Sequence, residues 1–171
     1  MQISPPAREE YPDFFVNYVG KIETQDVLPK LEQQLEEILD FFPHIPKEKR
    51  TFRYAPGKWD LHEMLGHIVD TERIFATRAL CIARGEAATL PPFDEDGYAQ
   101  ESNAARRSFE DLVQELLAVR LSNVFLFKGM EPQLLDRWGT VGSYRITVRA
   151  LAYGMAGHLE HHFRLIREKY L

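Results

Sequence analysis

Four stretches of the chain repeat apolar residues with the 3.6-residue period of an α-helix, and Pro-rich connectors separate them. Because each amphipathic helix must bury its apolar stripe against a neighbour, this pattern constrains the fold more than any other feature. The sequence therefore predicts an all-α fold, a four-helix bundle with one or two longer connections. The predicted helices run from about Asp26 to Phe42, Asp60 to Gly85, Ser108 to Gly129 and Thr147 to Lys169.

Capping signals mark the starts of two of these helices. Glu63 follows Asp60 at the spacing of a capping box, and Asp111 follows Ser108 in a similar way. Both serine and aspartate are favoured at the N-cap because their side chains accept hydrogen bonds from free backbone N–H groups. In the first helix we expect one buried face, formed by Leu31, Leu35, Ile38 and Leu39.

The rest of the chain is assigned to connections and one small extended element. Asp136 to Thr147 carries β-branched and aromatic residues around Gly139 and Gly142, which predicts a small hairpin before the last helix. A chain of 171 residues is of single-domain size, so we expect one domain over residues 1–171. Residues 1–22 are interpreted as an N-terminal extension of that domain.

Charge and composition narrow the classes of partner. The chain has 21 Lys and Arg against 26 Asp and Glu, a net charge of −5, which argues against binding to a nucleic-acid backbone. The N-terminus lacks the apolar run of a signal peptide or membrane anchor, and the single cysteine, Cys81, cannot form an internal disulfide. We expect a cytoplasmic protein that acts on a small molecule, without nucleic-acid or membrane partners.

Three histidines fall on faces that the helical pattern predicts to be buried. Leu151, Met155, His158, His162 and Leu165 form an inward seam in the last helix. His158 and His162 are one turn apart, with Cβ atoms roughly 5–6 Å from each other. His67 falls on a similar stripe of the second helix, with Met64, Thr71 and Ile74. If these two helices are neighbours, three imidazoles can bind one divalent cation; the alternative is that each is a core histidine satisfied by other partners.

The spacing of these histidines differs from that of two common metal motifs. A zinc-protease helix needs Glu directly after its first histidine, whereas Glu160 lies two residues after His158. A di-iron bundle needs Glu three residues before a ligand histidine, and Met64 and Leu159 occupy those places. Three histidine ligands leave a coordination position open, which is the pattern of catalytic rather than structural zinc sites.

Asp70 is a candidate for supporting the site, because it lies three residues after His67 and could accept an N–H from a ligand imidazole. The alternative for Asp70 is an ion pair with Arg73, Arg78 or Arg149.

Further candidates flank the histidines. His161 lies about 100° from His162 around the helix, which suggests surface exposure or support of a ligand rather than ligation. Asp94, in an acidic run with Glu95 and Asp96, is a candidate lid or base, although such short charge runs are usually solvated. Three glycines beside the histidines indicate that something needs space there, with close helix packing as the alternative: Gly66, Gly154 and Gly157.

The sequence resembles the DinB/YfiT-like family of four-helix metalloproteins over nearly its whole length. The segments that carry the resemblance are YAPGKWDLHEMLGHIVDTERIFATRAL (Tyr54 to Leu80), LPPFDEDGY (Leu90 to Tyr98) and VRALAYGMAGHLEHHFRLIREKYL (Val148 to Leu171). The resemblance implies that a histidine triad, at His67, His158 and His162, binds a divalent metal ion, often zinc or nickel. It also implies a homodimer.

Function within this family is less uniform than fold. Some similar proteins are transferases that use low-molecular-weight thiols such as bacillithiol or mycothiol, and others are described as metal-dependent hydrolases. We therefore predict a metal-dependent S-transferase that uses a low-molecular-weight thiol. The alternatives are a hydrolase that uses a metal-bound water, and a non-catalytic protein that binds a metal or a small ligand.

Overall fold

The computed structural model describes residues 2–171 and consists mainly of helices, with one small sheet. The helices are α1 (Val16–Val19), α2 (Val27–Phe41), α3 (Leu61–Ala83), α4 (Glu95–Glu101), α5 (Phe109–Lys128) and α6 (Val148–Lys169). The strands are β1 (Trp138–Val141) and β2 (Tyr144–Thr147). The four long helices α2, α3, α5 and α6 match the four predicted stretches, so the prediction of an all-α four-helix bundle is confirmed.

Local side-chain contacts explain where these helices begin. The Asp60 carboxylate accepts hydrogen bonds from the backbone N–H groups of His62 and Glu63, and Glu63 accepts one from the Asp60 N–H at 2.8 Å. Ser108 caps α5 by accepting from the Asp111 N–H at 3.0 Å. Asp60 and Glu63 therefore form the predicted capping box, whereas Ser108 acts as an N-cap in α5 without a bond returned by the Asp111 side chain. Among residues 2–171, no helix is both long and apolar enough to span a membrane.

The order of the helices around the bundle differs from a simple up-and-down arrangement. α3 packs between α5 and α6, and α2 packs against the same two helices from the other side. Consecutive helices α2 and α3 therefore lie diagonally across the bundle, as do α5 and α6. The connections 42–60 and 129–147 span these diagonals, which explains their length. This order makes α3 and α6, the two helices that carry the three inward histidines, direct neighbours.

The buried face of α2 is rotated from the predicted one. Ile38 and Leu31 are buried as expected, but Leu39 is 51% exposed and Gln34 is fully buried. Gln34 lies inside because its amide donates to the Ala156 carbonyl at 2.9 Å and accepts a hydrogen bond from the buried Arg120 guanidinium. A buried cation requires polar partners, so a polar residue occupies a core position there.

The predicted hairpin before the last helix is confirmed. β1 and β2 pair in antiparallel register from Trp138 opposite Thr147 to Val141 opposite Tyr144. Gly142 has a φ of +53° at the turn, a backbone conformation that glycine adopts without steric cost. Leu90 forms an isolated bridge with Val141, which holds the connection after α3 against the hairpin.

The N-terminal segment packs along α6, and the glycines of α6 make room for it. A Cβ atom at Gly154 would lie 2.2 Å from the Phe15 ring, and one at Gly157 would lie 2.0 Å from the Tyr18 carbonyl oxygen. A Cβ at Gly66 would meet Ala104 at 2.8 Å. Close packing, the alternative interpretation of these glycines, is therefore correct, and Gly154 and Gly157 allow Phe15 and Tyr18 to approach α6 closely.

Candidate metal centre

Three buried histidines converge between α3 and α6. The Nε2 atom of His158 lies 3.0 Å from Nε2 of His67 and 3.1 Å from Nε2 of His162. All three side chains are shielded from solvent, and their ligand atoms lie within 4.8 Å of one another. The structure thus brings together the three histidines that the helical stripes selected, because α3 and α6 are neighbours.

The electrostatic environment keeps these imidazoles neutral. Burial, together with the charge of His161, lowers the pKa of His67 to about 4. Burial and the neighbouring imidazoles lower the pKa of His158 and of His162 well below the usual range. A neutral imidazole has a free nitrogen lone pair, which is the form that binds a metal ion.

The arrangement of the nitrogens suits a divalent cation better than hydrogen bonding alone. A neutral ring nitrogen is either a donor or an acceptor, yet Nε2 of His158 faces two other Nε2 atoms, and Nδ1 of His162 is buried without a partner. In a tetrahedral zinc site with bonds of about 2.05 Å, ligand nitrogens are about 3.3 Å apart. The observed separations are close to this value, so the donor set fits a cation held by three imidazoles.

Aromatic rings enclose the histidine cluster. The Trp59 ring centroid lies 4.7 Å from that of His67, and the Tyr18 ring lies 5.2 Å from that of His158 in an edge-on arrangement. These apolar walls reduce the local dielectric, which strengthens electrostatic interactions at the cluster. Trp138, the other tryptophan, packs against the Arg145 guanidinium.

Two cavities reach the histidine cluster. The larger cavity has a volume of about 500 Å³ and the smaller one about 380 Å³. They share four lining residues, Tyr18, His67, Glu95 and His161. The cluster is therefore accessible to a small molecule from two sides, with volumes typical of ligand sites.

The other candidates from the sequence are distributed unevenly around the cluster. His161 lines both cavities, with its ring 5.1 Å from that of His162. Asp70 does not support a ligand histidine: its carboxylate lies 3.9 Å from Arg73, which matches the alternative interpretation. Asp94 lies with Asp70 along a separate surface depression and lines neither cavity.

Glu95, rather than Asp94, is the acidic residue that lines both cavities; Asp96 lines the smaller one. Glu95 is the first residue of α4. Burial, with the nearby charges of Asp96 and Asp94, raises the pKa of Glu95. A solvent-accessible carboxyl with a raised pKa, in the lining of both cavities that reach the histidine cluster, is suited to accept a proton.

Sequence reasoning also missed Arg78, which lines the larger cavity. The stripe of α3 that selected His67 and Thr71 continues at helical spacing to Arg78, so extension of the same stripe would have found it.

Comparison with known proteins agrees with this architecture. A family model described as the DinB superfamily matches residues 30–166. The chain belongs to the DinB superfamily. One relative in this comparison, from Oceanobacillus iheyensis, is 22% identical over 151 residues, which cover 86% of this chain and 87% of the relative. Its name is "Putative metal-dependent hydrolase OB0413".

A solved structure shares the fold of this DinB-superfamily chain. It is YfiT from Bacillus subtilis, described as "a probable metal-dependent hydrolase with an unusual four-helix bundle topology". The two chains superpose with a TM-score of 0.70 at 15% sequence identity, over 96% of this chain and 91% of YfiT. The diagonal placement of consecutive helices is thus part of a known bundle topology.

Proposed function

We propose that this protein is a metal-dependent hydrolase in which His67, His158 and His162 hold a divalent cation, with zinc or nickel as the metal. The observation that carries the proposal is the convergence of three buried, neutral imidazoles at the meeting point of two cavities. The descriptions of the Oceanobacillus protein and of YfiT as metal-dependent hydrolases support the same reaction class.

A divalent cation at three imidazoles supplies Lewis-acid chemistry, since it lowers the pKa of water and polarises the oxygen of an ester or amide. The residues of the chain contribute the rest. Glu95 accepts the proton of the attacking water and returns it to the leaving group. Trp59 and Tyr18 form apolar walls that limit access of bulk water to the reacting bond.

The test uses protein purified without an affinity tag and loaded separately with Zn²⁺ or Ni²⁺. We expect hydrolysis of neutral esters or amides that depends on the metal, and loss of this activity in His158→Ala. His44→Ala is a matched control, because His44 is exposed and bonds only to the Asp40 carbonyl. Hydrolysis that persists after chelation, or in His158→Ala, contradicts the proposal.

A second candidate function is transfer of a low-molecular-weight thiol. The observation that favours it is the pair of cavities, which gives a thiol and an electrophile separate access to the same cluster. In this reaction a sulfur–carbon bond forms as a halide leaves a haloarene, with the thiol proton passing to Glu95. Mass spectrometry after incubation with a haloarene distinguishes the two functions: a thiol conjugate supports transfer, and a hydroxylated product formed without thiol supports hydrolysis.

A non-catalytic role in binding a metal or small ligand is distinguished by the same experiments, since stoichiometric metal without turnover of any probe supports it.

The homodimer stays a prediction. Analytical ultracentrifugation of the metal-loaded protein tests it.

A further inference from the structure

One face of α3 leads from the histidine cluster along the larger cavity. His67, Thr71, Phe75 and Arg78 all line this cavity, at successive steps of four, four and three residues. The helix rises about 1.5 Å per residue, so the Cα atoms of His67 and Arg78 are separated by about 16 Å along the axis. A ligand that contacts both ends must therefore be elongated.

Arg78 is a buried cation without an acidic partner. Arg78 is only 6% exposed. Among residues 2–171, no carboxylate oxygen lies within 4.0 Å of its guanidinium. One guanidinium nitrogen donates to the Pro91 carbonyl at 2.9 Å, and the other makes a long contact of 3.5 Å with the Tyr144 hydroxyl. A guanidinium has five N–H donors, so most of them remain free for a ligand.

Thr71 provides a second, independent indication of a polar ligand. Its side chain is almost completely buried, yet its hydroxyl has no hydrogen-bond partner. A buried hydroxyl without a partner is destabilising, and a polar ligand atom in the cavity would satisfy it. Thr71 lies between His67 and Arg78 on α3, so it would contact the middle of an elongated ligand.

The other residues that line the larger cavity indicate the charge of the ligand and the apolar character of the rest of it. Phe14, Phe15, Phe75 and Phe93 supply apolar surface around the cavity. Arg78 is the cation of this lining, and Glu95 contributes a carboxyl group. A dianion would need more positive charge to offset its desolvation, whereas a monovalent carboxylate can pair with one guanidinium in bidentate geometry.

We propose that the larger cavity is a carboxylate-recognising substrate site. Arg78 binds the carboxylate of an elongated apolar acid, Thr71 hydrogen-bonds a polar atom in its middle, and the bond to be cleaved lies at the histidine cluster. The last part rests on the proposed hydrolase function; the recognition of the carboxylate does not. The substrate class is therefore a monoanionic acid with an apolar body and an ester or amide bond remote from the carboxylate.

The test measures binding by isothermal titration calorimetry, with metal content determined for each sample. The probes are 4-phenylbutyrate and its neutral counterpart 4-phenylbutanamide, which share one apolar body. We expect the native protein to bind the carboxylate about tenfold more tightly than the amide. We expect Arg78→Gln to lose this preference at unchanged metal content and with unchanged amide affinity, while Arg78→Lys retains part of it.

Arg145→Gln is the matched control. It removes the same positive charge, but Arg145 lies outside the cavity lining and packs on Trp138. It should keep the full preference. Equal affinity of the native protein for both probes, failure to bind either probe, or a preference that survives in Arg78→Gln overturns the proposal. A preference that survives in Arg78→Gln would indicate that the metal ion, and not Arg78, binds the carboxylate. Tighter binding of 4-phenylbutyl phosphate than of the carboxylate would overturn the assignment of a monoanion.

If Arg78→Gln does not fold, Arg78→Lys is the test variant, and a carboxylate preference that it keeps in full overturns the proposal. A parallel assay with a neutral ester separates this proposal from the proposed function. Turnover of the neutral ester without an Arg78-dependent preference rejects only the carboxylate site, and the preference without any turnover rejects only the hydrolase.

Discussion

The Nε2 atoms of His67 and His158 lie 3.0 Å apart, although 91 positions separate the two residues in the chain. This contact joins α3 to α6, and His162 extends it to a third imidazole one turn further along α6. The proximity is a consequence of the helix order, which places these two helices side by side.

Replacement of any one of His67, His158 and His162 by alanine should abolish stoichiometric metal binding. Two remaining imidazoles hold a divalent cation much more weakly than three. His161→Ala on the same helix is the control and should retain metal, because this ring lies outside the converging set. Elemental analysis of tag-free protein gives the metal content. Full occupancy in each of the three variants would show that the assignment of ligands is wrong.

The metal-free protein should lose stability as pH falls from about 6.5 to about 4. Burial lowers the pKa of His67 to about 4, and those of His158 and His162 well below the usual range. In this window the unfolded chain binds protons at these histidines and the folded chain does not, so acid favours unfolding. Each histidine contributes about 1.4 kcal/mol per pH unit.

Urea denaturation of the metal-free protein at several pH values measures this dependence. His158→Ala should have a shallower dependence, since one titrating group is removed. A free energy of unfolding that is constant between pH 4 and 6.5 would contradict the prediction.

Glu95→Gln should reduce hydrolytic activity about 100-fold or more without loss of metal, because the amide cannot accept a proton. In the native protein, activity should fall as pH decreases through the raised pKa of Glu95.

Asp94→Asn is the informative control. Removal of the Asp94 charge lowers the pKa of Glu95, so this acid limb should move to lower pH while the plateau activity is kept. Equal pH profiles in Asp94→Asn and the native protein would argue against Glu95 as the base.

The Glu72–Arg120 ion pair should be costly to break. Its side chains are 1% and 0% exposed, and Gln34 and Asn123 complete the hydrogen bonding. Glu72→Met alone should therefore lower the free energy of unfolding by about 3–5 kcal/mol, because it leaves a buried cation unpaired. The double variant Glu72→Met, Arg120→Met should recover most of this loss in chemical denaturation.

The exposed pair Arg164 and Glu168 is the comparison for this experiment. Arg164→Met should change stability far less than Glu72→Met does, because solvent screens the exposed pair. Similar effects for the buried and exposed single variants would contradict the role assigned to burial.

Gly157→Ala should destabilise the protein by about 1–3 kcal/mol, since the new Cβ meets the Tyr18 carbonyl and forces the N-terminal segment away from α6. Tyr18 lines both cavities, so ligand binding should weaken as well. Gly129→Ala, whose Cβ would lie no closer than 3.4 Å to another atom, is the control and should be nearly neutral in thermal denaturation. A neutral Gly157→Ala would indicate that α1 is free to move.

Features that depend on nearby residues could be predicted from the sequence. The α3 start was predictable because Asp60 and Glu63 bond to each other's backbone within one turn. The hairpin was predictable because its two strands are joined by a two-residue turn that contains Gly142. Interactions between distant segments could not be predicted: Gln34 occupies a core position on α2 only because Arg120, on another helix, needs its amide.

Some residues of the candidate site could likewise be predicted from the sequence, and others could not. Helical spacing selected His67, His158 and His162, because a side chain's face on a helix is set by its position in the sequence. The selection of Asp94 instead of Glu95 shows the limit of this reasoning, since the direction in which a short helix presents its first residues depends on how it docks.

By itself, the sequence determined the four helices, their caps, the hairpin and the inward faces that carry the three histidines, because these follow from hydrogen bonds and periodicity within one segment. The tertiary structure alone decided that α3 and α6 are neighbours, that Glu95 lines both cavities, and that α1 occupies the space beside Gly154 and Gly157. Those relationships depend on which apolar surfaces pack together across the bundle, and the packing energy is shared by residues far apart in the chain.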